Sequence, residues 1–312
     1  MSELSQLLVQ WKKQLRQLEP QIGRTPLVRI NQLWTKPGVE VYAKLEWEQL
    51  GQSVKSRPAF RMISQAIEEE VLVPGKRIFD STSGNTGIAY AAIGAYLGVP
   101  CTIVMPEDAS EERKTILRAL GAELLLVSSE WTSNEVMDYT QELAAKHADE
   151  YCYLNQYDNP ANWQAHYFGT GVEIYEQTQG RVTHFVSSLG TCGTFSGVAK
   201  FFQDQHPHVT SIGLHPDVAD HGLDGWKHLA SSRHPGIYMP ELAQGDVVVS
   251  TEEAYDWMGK LASQEGLLVS PSSAGALAGA IKVAQELDTG VVVTVFPDDS
   301  AKYGAVYREL FG

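Results

Sequence analysis

The feature that most limits how this chain can fold is the alternation of short apolar runs with longer amphipathic or Ala-rich ones. "VEVYAKLEW" (39–47) leads into the helical pattern "RPAFRMISQAIEEEVL", and "KRIFD" leads through the turn "STSGNTG" into the buried-helix pattern "IAYAAIGAYLG". "PCTIVMPE", "SEERKTILRALGA" with Ser110 as helix N-cap, "ELLLVSS" and "SNEVMDYTQELAAKHA" keep the rhythm. After "YCYLNQYDNPAN" a helix is expected from about His166 to Gln179, then the strand "THFVSSLG", the turn "GTCGT", the helix "FSGVAKFFQDQ" and the strand "TSIGLHP". Asp217 to Gly245, rich in His, Gly and Pro, reads as a segment of low order. A helix near "STEEAYDWMGKLASQEG", a strand "LLVSP", a helix "SAGALAGAIKVAQEL" and a strand "TGVVVTVFP" complete the pattern. Strands that are apolar nearly end to end must be covered on both faces. The expectation is an α/β protein with parallel sheets flanked by helices.

At 312 residues the chain has room for one large α/β domain or two closely joined ones. Asp and Glu number 38 against 24 Lys and Arg, a net charge of -14. Such a surface repels phosphate backbones and anionic lipid heads, so the expected partners include no nucleic acid and no membrane. Cys101, Cys152 and Cys192 are too few and too scattered for a disulfide framework or a Cys-rich metal site, and the histidines of "HPDVADH" and "WKHLASSRH" lack ligand spacing, so no metal is expected. The polar, amphipathic start "MSELSQLLVQWKKQLRQLEP" does not read as a signal peptide, and no apolar run is long enough to span a bilayer. A cytoplasmic location is expected.

In open parallel sheets ligands gather where strands end and helices begin. Two such turns are unusually rich in small and hydroxyl residues. "DSTSGNTGIAY" (80–90) places Thr82, Ser83, Asn85 and Thr86 around Gly84 and Gly87, more than helix capping needs. Glycines let a backbone approach a ligand, and amides at a helix start hold anions. "SLGTCGTFSG" (188–197) forms a compact cradle suited to a phosphate monoester, with neither the Lys-Ser/Thr of a P-loop nor a full dinucleotide fingerprint. In "LLVSPSSAGALAGA" Ser272 or Ser273 opens a helix, which by itself reads as capping. Lys55, in "LGQSVKSRPAF", stands at a strand-to-helix junction; taken alone it reads as one more exposed lysine.

In this order the pieces resemble the cysteine synthase (O-acetylserine sulfhydrylase) family of PLP-dependent fold type II enzymes. The likeness runs from "IGRTPLVRI" to "FPDDSAKY". "STSGNTGIA" is close to the family's substrate loop, "GTCGT" to its phosphate loop and "SVKSRPA" to the segment bearing its Schiff-base lysine. "YLNQYDNPAN" and "HYFGTGVEI" are most similar to the cysteine synthase B branch.

The resemblance implies a two-domain, tryptophan synthase β-like fold. A smaller, mobile substrate-binding domain would span 48–160, and a larger domain holding the PLP phosphate would take 1–47 and 161–312. It implies pyridoxal 5'-phosphate as cofactor, a homodimer to which a helix over Ser5 to Leu18 contributes, and Lys55 as the catalytic, cofactor-bearing lysine. Asn85 would bond the cofactor's 3′ oxygen, Gly190, Thr191, Cys192, Gly193 and Thr194 its phosphate, and Thr82, Ser83, Thr86 and Gln156 the substrate carboxylate. Ser272 aligns best with the serine facing the pyridine nitrogen, with Ser273 the alternative. A neutral hydroxyl does not keep that nitrogen protonated as a carboxylate would, which favours prompt loss of a β leaving group.

The implied reaction is replacement of the acetate of O-acetyl-L-serine by sulfide, or another small nucleophile, to give L-cysteine. A serine/threonine dehydratase, an amine or thiol β-substitution synthase, and a catalytically weak PLP-binding paralogue acting through a protein partner are the alternatives. The departures that motivate them are Gln49, Leu50, Gln52 and Ser56 around the lysine, Ser81 where proline is common, Cys192 where glycine or threonine is usual, and Ala274 where glycine is usual. A further expectation concerns the leaving group. The stretch "HPDVADHGLDGWKHL" carries Asp217, Asp220 and Asp224, only Lys227 as a cation and no arginine before Arg233, which disfavours a phosphate ester.

Overall fold

The computed structural model describes residues 3–312. Its first half runs α1 (Glu3–Leu18), β1 (Leu27–Arg29), β2 (Val39–Leu45), α2 (Ser56–Glu68), β3 (Arg77–Ser81), α3 (Asn85–Leu97), β4 (Cys101–Pro106), α4 (Glu111–Ala119), β5 (Glu123–Val127), α5 (Ser133–Lys146) and β6 (Tyr151–Tyr153). The second runs α6 (Pro160–Ala165), α7 (Gly171–Gln177), β7 (His184–Ser188), α8 (Gly193–Gln205), β8 (Thr210–Pro216), β9 (Gly245–Val249), α9 (Thr251–Lys260), α10 (Pro271–Gln285), β10 (Gly290–Phe296) and α11 (Gly304–Phe311).

These elements form two compact units. The first holds the described residues through Ile22, with Gln49–Gly51 and Lys55–Asn162. Its sheet, in the order β5-β4-β3-β6, is parallel throughout. β3 and β4 are buried along nearly their whole length, as their apolar sequences require. Trp11, Leu15 and Leu18 of α1 join Met62, Ile63 and Ile67 of α2 and Ile88, Tyr90 and Ile93 of α3 in one core. Each such side chain taken out of water contributes roughly 1.5–3 kcal/mol before entropy is subtracted. Ser110 caps α4 as expected, its hydroxyl accepting from Arg113 N, and Thr132 with Glu135 closes a capping box on α5.

The second unit holds Gly23–Glu48, Gln52–Val54 and Trp163–Gly312. Its sheet runs β1-β2-β10-β7-β8-β9. All its neighbours are parallel except β1, which runs antiparallel to β2 at one edge, so this sheet is mixed. α10 is buried from Pro271 to Ile281, which explains its run of Ala and Gly.

The structure adds one strand and corrects two local expectations. "GDVVV", which shares only Gly245 with the segment of expected low order, is the edge strand β9. "LLVSP" is not a strand: Val269 makes a single antiparallel bridge with Asp299, because Pro271 begins α10 at once and Ser270 caps it. The helix expected from His166 starts earlier, at Pro160, and carries a π-helical turn over His166–Thr170. Such a turn re-aims the side chains within it.

Candidate active site

Four of the predicted site residues sit where β3 turns into α3 in the first unit. Thr82 N donates to the Val104 carbonyl (3.0 Å), keeping the loop in line with β4, and Thr82 Oγ1 accepts from Gly84 N (3.2 Å). Ser83 is exposed at the crest, and Asn85 is half-buried as the first residue of α3. A Cβ on Gly84 would fall 2.8 Å from Arg113 Cδ, so only glycine lets that buried arginine lie along the loop. Arg113 Nη1 points to the Ser83 carbonyl at 3.5 Å.

Gln156 comes to the same place from the end of β6. It is 3% exposed; its Nε2 donates to the Ser81 carbonyl (2.8 Å) and its Oε1 accepts from Thr86 Oγ1 (2.7 Å). The two partners fix the amide orientation, since the carbonyl must receive an N–H and the hydroxyl must find an oxygen. The Thr86 proton is thereby committed to Gln156. An anion at this loop would be met by the second N–H of Gln156, by the Thr82 and Ser83 hydroxyls and by the amides at the head of α3.

Behind this loop lies Asp80, 1% exposed, to which the sequence reading gave no role. It accepts from Ser81 N (2.8 Å), Gln156 N (3.1 Å) and the Tyr90 hydroxyl (2.9 Å). Burial pushes its carboxyl up to about 7, against the pull of these donors. An aspartate closing the apolar run "RIFD" was the available signal.

Lys55 precedes α2, in the same unit, and is half-buried. Its carbonyl accepts from Ala59 N (3.0 Å), so its backbone already belongs to the helix. Ser56, one of the departures, gives its hydroxyl proton to the Leu50 carbonyl and ties down the loop that delivers the lysine.

The second unit carries the other predicted loop. β7 ends at Ser188, and Leu189 to Cys192 turn into α8. A Cβ on Gly190 would stand 2.1 Å from the Gly225 carbonyl oxygen, and Lys227 N donates to the Leu189 carbonyl at 2.7 Å just beside it. Cys192 takes a left-handed conformation (φ 67°) as N-cap of α8, a backbone that a glycine would adopt without strain. The amides of Gly193 and Thr194 open α8, as a phosphate cradle requires. Thr194 Oγ1 lies 3.4 Å from His166 Nε2, and His166 Nδ1 lies 2.9 Å from Thr170 Oγ1. The π-helical turn therefore steers a buried histidine onto the cradle, which spacing alone did not reveal. Lys227 is 9% exposed; burial lowers its pKa, while nearby Cys192 raises it and Arg233 lowers it further.

At the head of α10 the two candidate serines separate. Ser273 donates to the Asp298 carbonyl (2.7 Å) and lies 3.0 Å from Ser270 Oγ. Ser272 meets Ser270 Oγ at 3.1 Å. Among the described residues no group of three or more His, Cys, Asp and Glu side chains could hold a metal ion, and no helix is long and apolar enough to cross a membrane.

Residues 18–298 match the family model described as pyridoxal-phosphate dependent enzyme. The chain is 43% identical to a cysteine synthase of Aquifex aeolicus over 90% of its own length and 88% of that protein's. It is 40% identical to a cysteine synthase B of Salmonella typhimurium, covering 92% and 93%. The crystal structure of an O-ureido-L-serine synthase superposes with a TM-score of 0.87 at 30% identity, covering 93% and 94%.

Proposed function

The chain belongs to the pyridoxal-phosphate dependent enzymes, and we propose on that premise that it is a cysteine synthase. In the reaction sulfide displaces the acetate of O-acetyl-L-serine to give L-cysteine. The observation that carries this reading is the extent of its identity to cysteine synthases, 43% over 90% of the chain in one and 40% over 92% in another.

Pyridoxal 5'-phosphate, when bound, supplies the electron sink that lets the substrate lose its Cα proton and then its β substituent. Lys55 is assigned as the residue that holds the cofactor and as the base whose Nζ takes that proton. Asn85 is assigned to the ring hydroxyl. Gly190, Thr191, Cys192, Gly193 and Thr194 take the phosphate, a reading supported by the helix start and by the close approach that Gly190 permits. Ser272 takes the pyridine nitrogen. Ser273 is the weaker candidate, because its hydroxyl is engaged with Asp298. Thr82, Ser83 and Gln156 bind the substrate carboxylate, and Thr86 orients Gln156 for it.

Residues 48–160, with 3–22 added to them, act as the smaller, mobile substrate-binding part, and 23–47 with 161–312 as the larger, cofactor-holding part. The helix Glu3–Leu18 moves with the smaller part, because its apolar side joins the core built on α2 and α3. A homodimer accords with the exposed Leu4, Leu7 and Val9 on α1. Three free, buried cysteines suit the reducing cytoplasm.

The test is to supply PLP, O-acetyl-L-serine and sulfide and to measure cysteine. Lys55→Ala is expected to abolish both turnover and the visible absorbance of the lysine-bound cofactor while leaving the circular dichroism unchanged. Wild-type turnover by that variant would refute the assignment. A second reading, in which the nucleophile is not sulfide, draws on the O-ureido-L-serine synthase likeness and on Gln49, Gln52 and Ser56 beside the lysine. Competing sulfide against oxygen and nitrogen nucleophiles in one mixture separates the two by product mass.

A further inference from the structure

Among the described residues Asp80 is the one buried carboxylate of the first unit, closing off the back of the Thr82–Thr86 loop; among them it forms no ion pair, and its three hydrogen-bond partners are all donors. Two of these are backbone amides, of Ser81 and Gln156, the residues whose carbonyl and side chain build the loop's inner wall. A ligand carboxylate held by the Gln156 amide and the loop hydroxyls therefore leans on the same residue whose backbone N–H Asp80 accepts, while the buried cation along the loop, Arg113, points to the Ser83 carbonyl at 3.5 Å and is not among the groups bonded to Asp80. Like charges this close, out of water, cannot both remain ionised without cost.

The structure also shows how a proton could be accommodated. The Tyr90 hydroxyl, 0% exposed at the residue level, lies within reach of two acceptors, Asp80 Oδ2 at 2.9 Å and Met62 Sδ at 3.8 Å. With Asp80 ionised, Tyr90 donates to the carboxylate. With Asp80 protonated, the new O–H donates to the Tyr90 oxygen and Tyr90 turns its own proton to the sulfur. Ser81 N–H and Gln156 N–H keep their acceptors in both states, so the loop does not come apart when the charge is removed.

We propose that Asp80 is a positioning residue of the substrate-carboxylate loop and takes up a proton from solvent when the substrate carboxylate binds. This rests on the reading of Thr82, Ser83 and Gln156, the last oriented by Thr86, as the carboxylate site. The groups facing Asp80 are Tyr90 on α3, Cys101 on β4, Tyr153 on β6 and Asp158 after β6. Asp158 further disfavours its ionised form. Burial first, and then the Asp80 charge, push Cys101 up to about 12 and Tyr153 well up, so both stay neutral and neither competes for the proton. Asp80 itself, held up to about 7 by burial, is poised to change state near neutral pH.

The test uses PLP-loaded enzyme and O-methyl-L-serine, an ether with no leaving group. Binding is followed by calorimetry in buffers of different ionisation heat, which counts protons, and by the cofactor's absorbance. Relative to Asp80→Asn, which mimics the protonated carboxyl, wild type should take up an additional fraction of a proton at pH 7. Its affinity should fall about five- to tenfold more than the variant's between pH 6 and pH 8.5. Tyr90→Phe, which removes one stabilising donor, should move the wild-type transition to higher pH. Equal proton counts and parallel pH profiles in wild type and Asp80→Asn would overturn the inference, as would a transition unmoved in Tyr90→Phe. Thr82→Ala and Ser83→Ala test the underlying reading separately. If they bind the ether as wild type does, the carboxylate site is misassigned; if they weaken binding while Asp80→Asn shows no difference, only the role of Asp80 fails.

Discussion

Replacing Gly190 by alanine puts one methyl group where the structure has no room for it. The new Cβ would lie 2.1 Å from the Gly225 carbonyl oxygen and 3.3 Å from its carbon, both backbone atoms that no rotamer change can remove. Relief to about 3 Å requires the two backbone segments to part by roughly an ångström, an overpacking that costs about 1–3 kcal/mol. The Lys227 N to Leu189 O bond of 2.7 Å spans the same crossing and would stretch or break, adding about 1 kcal/mol. The total is roughly 2–4 kcal/mol, and it falls on the loop assigned to the cofactor phosphate. If about half is expressed in binding, the dissociation constant for PLP rises roughly five- to thirtyfold. Equilibrium titration of apoenzyme with PLP measures this, and urea unfolding measures the remainder. Gly259→Ala is the control: its Cβ would meet only the Phe311 ring, Cε1 at 3.6 Å and Cζ at 3.9 Å, and alanine inside α9 should stabilise by roughly 0.5–1 kcal/mol. A Gly190→Ala enzyme with wild-type PLP affinity and stability would refute the reasoning.

The leaving group is the next test: kcat/KM for O-acetyl-L-serine should exceed that for O-phospho-L-serine by at least about tenfold, since Asp217 and Asp220 are exposed on that loop and Lys227 is its one buried cation. Equal values would show that the loop was misread. Lys44 is fully buried and bonded to Glu173 (2.8 Å), the Thr25 carbonyl and Gln177 Oε1 (both 2.9 Å), so Lys44→Met should lower the unfolding free energy by about 3–5 kcal/mol in a urea titration. Asp80 has a folded-state pKa raised from 3.8 to about 7, so its ionisation opposes folding. Its stabilising contribution is complete below about pH 4 and is lost as pH rises through 7, by on the order of 4 kcal/mol. Asp80→Asn should therefore gain on wild type between pH 5 and pH 8.5, and parallel stability curves would contradict this. Ser273→Ala, which removes the shorter of the two bonds to the Asp298 carbonyl and leaves it only Ser270 N at 3.4 Å, should destabilise by about 1–3 kcal/mol. Ser272→Ala should leave stability nearly unchanged and shift the cofactor's absorbance, and the reverse outcome would exchange their roles.

The sequence by itself determined the layered α/β fold and the location of the two loops. Both are local properties. Apolar runs such as "CTIVMP" and "GVVVTVF" have no other way to bury two faces, and the glycines and hydroxyls of "STSGNTG" and "GTCGT" sit at strand-to-helix turns whatever surrounds them. Lys55 was legible only through resemblance, because a lysine before a helix has no local mark of its use. What the tertiary structure decided are relations between distant segments. Gln156 meets Ser81 and Thr86 across seventy residues or more, Gly190 meets Gly225, and His166 reaches Thr194 only because a π-helical turn re-aims it. Asp80 is the clearest case. Nothing in "RIFD" says whether the last side chain will face water, a cation or three donors, and that surrounding sets its charge. Burial and partner identity are set when strands pair and helices dock, so the residues that tune this site became visible only in the fold.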